Sequence, residues 1–251
     1  MKQQFSIQRI RDFIYRDIIL LRGSLITAFS VAAAFFFIAI WVNLRYDYII
    51  TPNEFANIFG IIFIPIGLYL TLSIFREANN KQLNLFYFSL PISPKEKLLA
   101  TWFATSILYV VIFSIFAQII GQIAIVTGSM MSKVELHMLP FFSNSYWSVI
   151  KFYLVIQPLF LLGSIAFNKN RLGKTLFWIL ILVISLAVLN GIMCFAVNDG
   201  AVDMFSSEQL TSNAFDLALN DFSTIGTWFW VIILGPVMLI AAYFKLTEKE
   251  V

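Results

Sequence analysis

The sequence predicts an all-α membrane protein with six transmembrane helices, an N-terminal interfacial amphipathic helix and both termini cytoplasmic. Three observations predict it. Hydrophobic residues make up 60% of the chain and charged residues 12%, against roughly half and a quarter in soluble domains. Six windows are apolar enough, and close enough to the ~20 residues that cross a ~30 Å hydrocarbon core, to be spans: 24–42, 57–75, 98–126, 152–167, 176–197 and 227–244. The basic residues fall on one side of that arrangement, with 14 of 17 in residues 1–23, 76–97, 168–175 and the tail. Positive charge is retained on the cytoplasmic side, so 76–97 is a cytoplasmic loop. Residues 198–226, with five acidic residues and no basic one, form an extracytoplasmic loop. The whole of 1–251 reads as one transmembrane domain of a bacterial cytoplasmic (inner) membrane.

The elements follow in order. FSIQRIRDFIYRDIILLR places Ile7, Ile10, Ile14, Ile18 and Leu21 on one helical face and Arg9, Asp12 and Arg16 on the other, the pattern of a helix lying along the inner membrane surface. The alternative is a cytoplasmic extension of the first span. The charged region runs to Arg22, too long for a cleavable signal, and 24–42 is expected to be retained. After the second span comes REANNKQLNLFYFSLPISPKEK, with six charges in 22 residues. Its beginning favours a helix over 77–88, and the Leu90-Pro91 step stops it. Ser93, Pro94 and Glu96 then form a capping box with proline at the first helical position. A helix from Pro94 to Thr127, 34 residues or about 50 Å, would project beyond the bilayer. The fourth window is short, but Tyr146, Trp147 and Tyr153 fit an interfacial aromatic belt that extends it. NKNRLGKT joins spans four and five. Pro65, Pro158 and Pro236 lie inside spans two, four and six, where each bends its helix.

Several chemistries are disfavoured. No Asp, Glu, Lys, Arg or His falls inside the six apolar cores, whereas ion-coupled carriers usually depend on such groups. The single histidine, His137, sits in an outer loop, and Cys194 is alone within a span, so neither a histidine metal site nor an intrachain disulfide is expected. NKNRLGKT ends like a phosphate-binding loop, but Asn168 stands where the first glycine belongs. Eight residues leave no room for an ATPase, so any ATP must be bound by a partner. The net charge of +3 reflects the membrane asymmetry and implies no nucleic acid.

The N-terminal helix, six spans with both ends inside, the long first cytoplasmic loop ending in FSLPISPKEKLLA, the short NKNRLGKT loop and the long last outer loop together resemble the ABC-2 type permease family. Its members are membrane subunits of ATP-driven exporters. The resemblance covers the whole chain and implies a coupling helix at 77–88 that docks on an ATP-binding cassette ATPase, with Glu77, Leu83, Phe86, Tyr87 and Phe88 at the contact. It also implies a second permease subunit, in a homo- or heterodimer. Spans two and five then face the pathway, which points to Phe63, Tyr69, Ser185 and Asn190 as lining residues. The chain itself would bind no cofactor, ATP and Mg belonging to the partner. Two other classes stay open: an integral membrane enzyme acting on lipid, and a non-transporting scaffold or immunity-type membrane protein.

The charge asymmetry makes a topology prediction. Tags at residues 1, 85 and 251 should be inaccessible from outside intact cells, and a tag near 210 accessible. External labelling at 85 would overturn the orientation.

Overall fold

The computed structural model describes residues 5–47, 49–80, 82–131, 138–197 and 233–250, all helix, turn or loop with no strand among them. The helices are α1 (Ile7–Asp47), α2 (Pro52–Ile74), α3 (Asn84–Phe88), α4 (Pro94–Phe103), α5 (Tyr109–Met131), α6 (Asn144–Ala166), α7 (Arg171–Val197) and α8 (Gly235–Glu250). A π-helical turn, Ala104–Leu108, joins α4 to α5 without a break. Among the described residues five helical stretches are long and apolar enough to cross a membrane: Ile7–Tyr46, Pro52–Ile74, Pro94–Met130, Asn144–Ala166 and Arg171–Leu189. The start of the expected sixth span (227–232), the 198–226 loop and His137 lie outside the described residues, while the rest of that span, 233–244, is helical.

No break separates the expected interfacial helix from the first span. Both belong to α1, 41 residues or about 60 Å long, which is the extension reading. Gly23 at the junction costs about 1 kcal/mol in a helix, and no proline accompanies it to stop one. The expected helix over 77–88 is instead turns at 75–79 followed by the five-residue α3. The fourth span runs over 23 residues from Asn144, so its aromatic flank is helical.

Both capping boxes close. The Glu96 N–H donates to Ser93 Oγ and the Ser93 N–H donates to Glu96 Oε2 (3.3 and 3.0 Å). The pair Thr51 and Glu54 repeats the motif at α2, with the Thr51 N–H on Glu54 Oε2 at 2.8 Å.

α2 and α6 form the central pair. α1 lies against α5, α2 and α4, while α6 also carries α8 and α7. Phe55, Phe59 and Phe63 repeat every four residues along α2 and face Tyr109 and Phe113 of α5 and Tyr146 and Tyr153 of α6. Phe63 stacks on Tyr109 at 5.0 Å and meets Tyr153 edge-on at 4.8 Å. Lipid tails are as apolar as these rings, so dispersion and hydrogen bonds must hold the helices together.

The hydrogen bonds are specific. Tyr109 Oη donates to the Phe63 carbonyl at 2.6 Å. At the π turn the Tyr109 N–H reaches the Ala104 carbonyl instead of that of Thr105. The released Thr105 carbonyl accepts from Tyr153 Oη at 2.5 Å, and Thr105 Oγ1 accepts from Gln157 Nε2 at 2.7 Å. The turn therefore turns a backbone acceptor toward α6, one way a π turn is tolerated inside a span.

These fixed rings make Gly67 obligatory. A Cβ there would lie 2.5 Å from Tyr109 Cε1 and 2.6 Å from Tyr153 Cε2. Gly67→Ala is expected to destabilise by about 1–3 kcal/mol, read as a lower unfolding midpoint of the purified protein. Gly173→Ala, where a Cβ meets nothing within 4 Å, should leave the midpoint unchanged.

Candidate functional site

The loop between α2 and α4 is clamped from four sides. Tyr87 of α3 is 2% exposed and enclosed by rings, with Phe13 of α1 at 6.1 Å, Phe75 at 6.3 Å and Phe88 at 5.3 Å. Two cations cover its faces: the Arg16 guanidinium at 5.8 Å and the Lys97 ammonium at 5.2 Å. Each such contact adds about 0.5–2 kcal/mol when desolvated. Arg16 also pairs with Asp17 and with Glu77. From α6 and α8, Asn79 Nδ2 donates to the Ser164 carbonyl at 2.7 Å and Lys249 Nζ donates to Asn79 Oδ1.

Glu96 fixes the start of α4 to the start of α1. Its carboxylate is buried and accepts from the Ser6 N–H and from Arg9 Nη2, both at 2.8 Å, as well as from Ser93. Burial alone would push this carboxyl up. The hydrogen bonds from Arg9, the Ser93 and Ser6 backbones and the Ser93 hydroxyl outweigh it and hold the group at about 2. Asp17 goes the other way: burial raises it to about 7 against the pull of Arg16, and Glu77 adds to the rise. Both lie outside the apolar windows 24–42 and 98–126.

The residues expected at a partner contact separate into two groups. Tyr87 belongs to the interior, Glu77 is engaged with Arg16, and Phe88 is half-buried beside Lys97 (5.4 Å). Leu83 and Phe86 face outward, Phe86 being 73% exposed. Leu85, absent from the sequence-based set, is 76% exposed beside it. On five residues no apolar period can be read, so the sequence signal for Leu85 is only its place next to Phe86.

The expected lining residues also diverge. Phe63 is fully buried in the aromatic core. Tyr69 is half-exposed on α2 and Ser185 is exposed on α7. The Asn190 side chain lies outside the described residues. No group of three metal-ligating side chains occurs among the described residues. No protein-family model matches the chain, and no curated protein matches it.

Proposed function

We propose that the chain is the permease subunit of an ABC exporter, forming the translocation pathway as a dimer and coupled to a separate ATPase subunit through the 76–97 loop. The observation that carries this reading is a rigidly held loop that still displays Leu85 and Phe86. A connector between two helices needs neither the four-sided clamp nor the exposed apolar pair. ATP-driven closure of the partner would push α3, and the clamp would pass that push to α1 and to the continuous helix from Pro94. ATP and Mg sit on the partner in this scheme. Tyr69, Ser185 and Asn190 remain the proposed pathway residues, whereas Phe63 is buried in the aromatic core.

The lipid-enzyme alternative loses its two carboxylates on this loop, because Glu77 and Glu96 are both engaged with arginines. The test is purification of the tagged chain from its own membrane in mild detergent. An ATP-binding cassette subunit and ATP hydrolysis should co-purify. An intact dimer with no ATPase would favour the scaffold reading.

A further inference from the structure

A polar pocket of about 170 Å³ opens near the ends of α2, α6 and α8 and the start of α7, lined by Ala78, Asn79, Asn84, Phe88, Asn168 and Lys249. Lys249 crosses from α8 and donates to Asn79 Oδ1, to the Ile165 carbonyl at 2.5 Å and to Asn168 Oδ1 at 3.0 Å. All three acceptors are neutral, so its donors are satisfied while its charge is not. Arg171 follows the same pattern, with Nη1 on the Leu72 carbonyl at 3.0 Å. Arg76, just past α2, is exposed.

Among the described residues none of these three cations forms an ion pair. The neighbouring carboxylates Glu77 and Glu248 are held by Arg16 and Lys245. The cations are close enough to repel. Burial, then Arg76, lowers the pKa of Arg171; burial, then Arg171 and Lys245, lowers that of Lys249, which Glu248 only partly offsets. Asn84 adds a second observation: its side-chain oxygen is buried without a partner. Rotating that amide by 180° sacrifices no bond at the oxygen and exchanges an acceptor for a donor.

We propose that this pocket binds a phosphate-bearing anion, with Lys249 in its lining, Arg171 and Arg76 outside that lining adding positive potential, and the Asn84 and Asn168 amides supplying donors. The chemistry fits an anionic phospholipid headgroup or a free phosphate. The site lies where apolar helices end, the place of basic headgroup pockets in membrane proteins.

The test compares unfolding midpoints of the full chain in nanodiscs of phosphatidylcholine alone and with phosphatidylglycerol, and in phosphatidylcholine with millimolar inorganic phosphate. Phosphatidylglycerol should raise the midpoint by about 2–4 °C, and the pair Arg76→Gln, Arg171→Gln should remove at least half of that rise. Because Arg171 also holds the end of α2, Arg76→Gln alone serves as the second variant and should reduce the rise without lowering the baseline. Lys245→Gln, whose charge is already paired, should not reduce it. A rise with inorganic phosphate and none with the lipid would support the site with a soluble anion as its ligand. No rise with either, an equal rise with sodium chloride at matched ionic strength, or a rise unchanged in both arginine variants would overturn the proposal.

Discussion

Glu96→Ala is expected to remove about 3 kcal/mol of stability, while Glu54→Ala removes about 1. The two glutamates occupy the same position in the same motif, Ser-Pro-Lys-Glu and Thr-Pro-Asn-Glu, so each loses one cap. They differ in surroundings. Glu54 bonds only within its exposed cap, whereas Glu96 is fully buried and also joins Arg9 and the Ser6 N–H of α1. Arg9 keeps 32% side-chain exposure, so water recovers part of its loss and the cost stays at the lower end for a broken buried pair. The pH dependence has a definite sign. The folded carboxyl titrates near 2 against an ordinary 4.5. Its contribution is therefore complete above about pH 4.5 and is lost as pH falls toward 2. Unfolding midpoints of the wild type and Glu96→Ala should converge over that acidic window. An Ala variant as stable as the wild type at pH 7 would remove Glu96 as the link between α1 and α4.

Much of the fold was legible because membrane helices announce themselves by length and apolarity. The first five windows all fall on helices long enough to cross, the second and fourth overrunning theirs by one residue, and the Ser93 cap begins α4 where expected. The Thr51 cap was equally readable, since Thr-Pro-Asn-Glu carries the same signal. Other features depend on partners far along the chain. The π turn is matched to Tyr153 and Gln157, 48 and 52 residues from Thr105. Tyr87 is buried because Phe13 and Arg16 arrive from α1. Local sequence cannot tell Tyr87 from Phe86, for both are aromatics on the same short helix, and only the clamp sends one inward. Phe63 has the same ambiguity: an aromatic in a span packs equally well into a core or along a pathway, and here Tyr109 and Tyr153 enclose it.

The pair Leu85→Ala, Phe86→Ala is expected to abolish co-purification of an ATPase while leaving the unfolding midpoint and the dimer unchanged. Both side chains are more than two-thirds exposed, so truncating them empties no interior space. Seated in a partner's groove, each would act as an apolar anchor worth about 1–3 kcal/mol, enough together to weaken association by about thirtyfold or more. Tyr87→Ala should behave differently. It leaves a cavity between Phe13 and Phe75 beneath Arg16 and Lys97, costing about 3–5 kcal/mol, and should lower the midpoint and the yield before any question of partners arises. Changing Phe86, Tyr87 and Phe88 together would mix the two effects, so the pair is the cleaner probe. Phe35→Ala, an equally apolar and half-exposed position on the shaft of α1, is the control and should leave both binding and ATP hydrolysis intact. If the Leu85, Phe86 pair retains a bound ATPase and coupled hydrolysis at normal yield, α3 is not the coupling element, and its exposed apolar pair rests on lipid instead.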